Sequence, residues 1–273
     1  MNLLISVWGK NGSGKSTVAS NLACAFARRG YRTALVGANR FYGSIQYFFN
    51  MEIHAGQSLR AVLTGEDRLT VSDYFVECAS VNGLYIASLA DRDDCAGYRK
   101  MRTDTVTRFI NLVKKSFDVS VFDCDESVED PLSMYSLTFA EKIIFVTRPS
   151  VQHVVFAKAY EPIVTGLQIT EQIEVLFVGG NGYDDYSQYA PFGINERYHV
   201  LPWCKTIERG QCDEGLVVLG GGADRAAVRY RRVIYALADS CADNTVAEGD
   251  FGDEAGERKI KVQKMFRHRH FAG

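Results

Sequence analysis

Residues Gly9 to Thr17 read GKNGSGKST, and this stretch decides the fold. It holds the pattern G-x-x-x-x-G-K-[ST] as Gly9, Gly14, Lys15 and Ser16. The apolar run LLISVW (Leu3 to Trp8) precedes it. STVASNLACAFARRG follows, with helical spacing at Val18, Leu22, Ala25 and Phe26 and a closing Gly30. Strand, glycine-rich loop and helix in that order form a phosphate cradle. Gly9, Gly12 and Gly14 let the backbone bend so that N–H groups face phosphate oxygens, with the positive helix N-terminus behind them. Gly9, Lys10, Asn11, Gly12, Ser13, Gly14, Lys15, Ser16 and Thr17 are therefore the expected nucleotide-binding loop, with Lys15 reaching the β- and γ-phosphates and the Ser16 hydroxyl on Mg²⁺.

Outward from the loop, YRTALVG, GLYIASL, FDVSVFD, KIIFVT and IEVLFVG read as buried strands. Helical stretches fall at about Thr103 to Lys115, Pro131 to Phe139 and Val151 to Gly166. This alternation predicts an α/β P-loop NTPase fold, a mostly parallel sheet with helices on both faces. In SFDVSVFDCDES, apolar residues from Val119 lead to Asp123, a carboxylate suited to hold the magnesium through a water.

The chain has 273 residues and a net charge of -2, so no general attraction to nucleic acid or membrane is expected and any basic surface must be local. Seven cysteines with no C-x-x-C pair and no secretory leader suggest reduced thiols in cytoplasm. No apolar run approaches the roughly twenty residues of a membrane span. The expected main domain covers 1–240. Residues 241–257 carry six acidic side chains and no Lys or Arg, as in a solvated linker. Residues 258–273 carry six Lys or Arg and no acid, with Val262, Met265 and Phe266 on one helical face. That pattern suggests a weak peripheral contact with the inner face of the membrane, the alternative being an unordered tail held loosely by the acidic stretch or binding nucleic acid.

Lys10 sets the loop apart, because an ordinary phosphate loop needs one lysine. KNGSGKS resembles the deviant Walker A motif, K-G-G-x-G-K-[ST], of the MinD/ParA ATPases. The resemblance implies a homodimer sandwiched over ATP, with Lys10 reaching the partner's phosphates. It further implies Asn181, in GGNGYDD, against the adenine and Pro202, in VLPWCKTIERG, in the loop around the base. LVGANRFYGSIQYFF, QSLRAVLTGEDRL and NGLYIASLADRD are most similar to CpaE/TadZ proteins, which localise Flp-type pilus assembly. The expected partners are thus a second copy and proteins of a pilus or secretion assembly. Two rivals share the fold: a partition ATPase binding DNA non-specifically, and a small-molecule kinase or ligase similar to dethiobiotin synthetase.

Lys10, Asn39 and Asp123 are the candidate catalytic positions. Two departures from the family bear on them. The family has D-x-D after the second strand, its later aspartate orienting water, whereas this chain has Gly37 and Asn39. Asn lacks the anionic oxygen that orients a proton, so hydrolysis is expected to be weak. After Asp123, a proline-containing switch gives way to CDES. Asp125 and Glu126 there could replace the missing carboxylate or repel the phosphate, and a solvated or structural role is favoured. An iron–sulfur role for Cys95 and Cys124 is set aside. His54, His153 and His199 read as structural, and the aromatics of RFYGSIQYFF as core or partner-facing.

Overall fold

A computed structural model of the chain describes residues 2–39, 41–64, 70–93, 103–180, 186, 189–194, 198–204, 216–220 and 224–243. Asn181, Cys95 and the segments 244–257 and 258–273 lie outside the described residues. The element order is β1 (Leu3–Trp8), α1 (Lys15–Arg28), β2 (Thr33–Gly37), α2 (Arg60–Thr64), β3 (Val76–Glu77), β4 (Leu84–Ala87), α3 (Thr103–Ser116), β5 (Val119–Asp123), α4 (Pro131–Phe139), β6 (Lys142–Thr147), α5 (Val151–Leu167), β7 (Ile173–Gly180), β8 (Tyr198–Pro202) and α6 (Arg225–Asp243). The strands form one sheet in the order β3-β4-β2-β5-β1-β6-β7-β8. Every pairing is parallel except β3 with β4. This is the expected doubly covered α/β sheet with a short antiparallel edge.

The alternation of β1 assigns its two faces. Leu4 and Trp8 join Phe109, Phe122, Tyr135 and Phe156 beneath α3, α4 and α5. Leu3, Ile5 and Val7 join Leu22, Phe26, Tyr230 and Ile234 beneath α1 and α6. Successive strand residues point to opposite faces, so a run as apolar as LLISVW belongs to a strand covered on both. Trp8 is fully buried and packs edge-on to Phe145 and Tyr160 with ring centroids 5.3 and 5.4 Å away.

Local signals set the helix ends. Asp130 caps α4 by accepting from the Ser133 N–H at 2.8 Å, and Pro131 follows at the first helical position, where its missing donor costs nothing. α6 buries Ala227, Tyr230, Ile234, Leu237, Ala238 and Cys241, a stripe at helical spacing that seats it on the sheet. The helix therefore carries Cys241 to Asp243, the first residues of the acidic stretch, within the folded unit.

The segment after β2 takes a form the sequence pattern did not specify. Ile45–Phe49 is a 3₁₀ turn that tucks Ile45 and Phe49 into the core and leaves Tyr47 exposed. Phe41 and Tyr42 are exposed as well. The aromatics of RFYGSIQYFF thus divide between core and surface.

Candidate nucleotide site

Register brings the site together. β5 lies between β1 and β2, so Asp123 at its carboxyl end is the parallel partner of both Val7 and Gly37. The chain leaves β1 to one side for β2 and returns on the other through β6, and ligands in such sheets bind at the carboxyl ends beside that switch point. An open cleft of about 1190 Å³ lies there, lined among others by Gly12, Lys15, Ser16, Thr17, Asn39 and Asp123.

The glycines of the loop have separate reasons. At Gly9 a β-carbon would stand 2.1 Å from the Val146 carbonyl oxygen, so only glycine lets the chain leave β1 against β6. Gly14 sits at φ 101°, in the left-handed region, as the residue that starts α1. Ser13 is buried, and the Thr17 carbonyl oxygen accepts from the Asn21 side chain at 2.8 Å.

Ser16 and Asp123 are in direct contact. The Ser16 hydroxyl donates to Asp123 Oδ2 at 2.6 Å. Asp123 Oδ1 is buried and accepts no hydrogen bond among the described residues. Burial pushes the Asp123 carboxyl up to about 6, against the opposing pull of the Ser16 hydroxyl and the Lys15 ammonium. A buried carboxylate with an unused oxygen beside a hydroxyl is a hard-oxygen donor set, which fits Mg²⁺. Lys15 is also buried, and its Nζ donates to Asn11 Oδ1 at 3.1 Å and to the Lys10 carbonyl at 3.4 Å. Burial holds its pKa below the usual lysine value, while Asp123, Asp125 and Glu126 act in the opposite direction. A desolvated ammonium aimed along a glycine loop is stabilised by phosphate oxygens, so these residues fit the phosphates of a nucleotide as they fit the metal.

The remaining candidates take distinct places. Lys10 lies close enough to His153 that its charge helps hold the imidazole below its usual pKa, after burial itself. His153 is buried at the start of α5 and shares a 2.8 Å hydrogen bond with the Ser150 hydroxyl, a structural arrangement. Asn39 lines the cleft, but its Oδ1 accepts from the backbone N–H of Phe41 at 2.8 Å and of Tyr42 at 3.4 Å. It is a turn-forming side chain, of the kind Asn adopts in loops. Pro202 is buried at the end of β8, paired with Gly180, and Trp203 after it is exposed.

Asp125 and Glu126 are both engaged. Asp125 Oδ1 accepts from the Ser127 N–H at 2.9 Å, and Glu126 Oε2 accepts from the Asn11 N–H at 2.5 Å. The second contact joins the phosphate loop to the segment after β5, and no signal in the sequence pointed to it beyond the run of acids. Cys124 is buried, with its thiol pushed up to about 12 by burial. Such a thiol stays protonated and inert. Among the described residues no cluster of three or more His, Cys, Asp or Glu could hold a further metal ion, and no helix is long and apolar enough to cross a membrane.

Residues 4–39 match the family described as the CobQ/CobB/MinD/ParA nucleotide binding domain. The chain is similar to a putative septum site-determining protein MinD of Guillardia theta, 27% identical over 150 residues, which are 55% of this chain and 53% of that protein. It thus spans about half the length of the curated relatives it matches. In structure it is similar to the septum site-determining protein MinD of Pyrococcus horikoshii complexed with Mg-ADP. That TM-score is 0.67 at 20% identity, covering 88% of this chain and 96% of the other. A putative plasmid partition protein of Borrelia burgdorferi bound to AMPPNP superimposes with a TM-score of 0.68 at 13% identity, covering 87% and 99%. The fold is thus that of a MinD-like P-loop NTPase, and the segment that carries the phosphate loop matches the nucleotide binding domain of that family.

Proposed function

We propose that this chain is a nucleotide-driven positional switch that binds Mg·ATP in the cleft, dimerises over it and hydrolyses it slowly. The observation that carries the reading is the Ser16–Asp123 contact of 2.6 Å beside a buried Lys15. When bound, Mg²⁺ would neutralise charge on the phosphates. The chain's own groups do the rest. Loop N–H groups orient the phosphates, Lys15 compensates their charge, and Ser16 with Asp123 holds the ion's position.

Slow turnover follows from Asn39. Its oxygen is committed to two backbone N–H groups and it carries no charge, so it is poorly placed to orient water. A protein that holds ATP long and cleaves it slowly works through the surface it presents in each state. Exposed Phe41, Tyr42 and Tyr47 beside the cleft supply apolar area for that surface. Lys10 serves the partner's phosphates in the dimer, Asn181 and Pro202 border the base, and residues 258–273 add a peripheral membrane contact. The resemblance to CpaE/TadZ proteins makes a pilus or secretion assembly the machinery that is positioned.

Calorimetric titration tests the reading. Wild type is expected to bind Mg·ATP, Lys15→Ala to lose binding, and Asp123→Asn to lose the magnesium dependence. Equal binding by wild type and Lys15→Ala would contradict the site.

A further inference from the structure

The Glu126 carboxylate sits on the phosphate loop itself, and the structure fixes it there from three sides. Its own carbonyl oxygen accepts from the Trp8 indole N–H at 3.2 Å. Just before it, the Cys124 N–H donates to the Val7 carbonyl at 3.0 Å, and the Asp125 N–H donates to the Ser133 hydroxyl at 2.8 Å. The Asp125 carboxylate then closes the turn onto the Ser127 N–H. With the backbone so held, Glu126 Oε2 takes the Asn11 N–H, and Asn11 in turn holds Lys15 through its side-chain oxygen. Glu126, Asn11 and Lys15 form one chain of contacts at the end of the loop that serves the terminal phosphates.

A carboxylate bound to a loop N–H is chemically an anion in an anion site. It takes a donor, and its charge favours the ammonium form of Lys15, as an arriving phosphate would. It also repels a second anion placed beside it. We propose that Glu126 is a built-in competitor for the terminal phosphate, so that the chain binds nucleoside triphosphate less tightly than its loop alone would allow and gives up the Glu126–Asn11 contact on binding. This inference rests on the nucleotide-binding reading. It adds that the segment after β5 senses the terminal phosphate through Glu126. Trp8 is tied to the same residue and reports the movement.

The test is equilibrium titration with fluorescent analogues of Mg·ATP and Mg·ADP, using wild type, Glu126→Ala, Glu126→Gln and the control Glu129→Gln. Trp8 emission is followed in a Trp203→Phe background. Removing a charge-assisted hydrogen bond that competes with the ligand is expected to tighten ATP binding about tenfold in Glu126→Ala. The gain for ADP is expected to be smaller. Glu126→Gln keeps an acceptor for Asn11 without the charge and falls between wild type and Glu126→Ala. Glu129→Gln stays within about twofold of wild type, as a screened surface charge should. ATP shifts Trp8 emission in wild type more than ADP does. Equal or weaker ATP binding by both Glu126 variants, with wild type binding normally, overturns the competitor and leaves Glu126 a support for the loop. Absence of binding by wild type and every variant overturns the nucleotide site and the competitor with it.

Discussion

Ile45 closes over Gly37 so tightly that a β-carbon at position 37 would stand 3.1 Å from its Cγ2 methyl and 3.1 Å from the Ser88 hydroxyl. Gly37 ends β2 as the parallel partner of Asp123, so this packing touches the wall of the site. Gly37→Ala is expected to destabilise the protein by about 1–3 kcal/mol, the usual cost of overpacking a filled core. Gly37→Asp is expected to cost more, because its carboxylate would be buried against a methyl group. Urea denaturation of the two variants checks both.

Asn39→Asp should behave differently, because an aspartate keeps the acceptor that holds the Phe41 and Tyr42 N–H groups and adds a second, anionic oxygen. Stability is expected to be retained and ATP turnover to rise. A well-placed general base is typically worth about 10²–10⁴-fold, which bounds the gain. Steady-state phosphate release measures it. Wild-type turnover at about 1 s⁻¹ or faster, the range of ordinary enzymes, would place the water-orienting group elsewhere.

The charged group at the opposite end of the sheet gives a pH prediction. Glu174 is buried, with Lys142 at 3.5 Å and His199 at 3.2 Å. Burial alone would raise its carboxyl, but the His199 hydrogen bond and the Lys142 charge together bring it below the usual carboxylate value. A group whose folded pKa is lowered stabilises the fold above its unfolded pKa and loses that contribution as pH falls through the folded value. Stability is therefore expected to fall on acidification below the normal glutamate range, and Glu174→Gln to flatten that fall. Thermal denaturation across pH 3 to 7 compares them, pH 3 lying about one unit below the ordinary glutamate pKa.

The tail is tested separately. Residues 258–273 are expected to carry the ATP-bound dimer to anionic vesicles, since two tethered copies gain effective concentration that one lacks. Co-sedimentation with phosphatidylglycerol vesicles, comparing the full chain with one ending at Glu257, decides it. Equal pelleting would show that the tail makes no membrane contact.

What the sequence disclosed follows from which physical signals are local. The loop Gly9 to Thr17, the strands Leu3–Trp8 and Lys142–Thr147 and the helix Pro131–Phe139 were legible because periodicity, glycine and proline placement and capping act within a few residues. Asp123 was legible because an apolar strand ended on it. β8 was legible only as a short apolar run beside His199, because its pairing with β7 and the His199–Glu174 contact join residues far apart in the chain. The stripe Tyr230, Ile234, Leu237 and Cys241 in α6 carried a helical period that spacing alone could have revealed. The Glu126–Asn11 contact spans 115 residues and the turn at Asn39 depends on local chain geometry, so neither leaves a pattern in composition or spacing.

Sedimentation velocity in Mg·ATP, comparing wild type, Lys10→Ala and Lys15→Ala, tests whether the nucleotide drives dimerisation through Lys10. Wild type is expected to be a dimer in Mg·ATP and a monomer in Mg·ADP. Lys10→Ala should bind nucleotide yet remain monomeric, and Lys15→Ala should do neither. An ATP-driven dimer that persists unchanged in Lys10→Ala would contradict that role of Lys10.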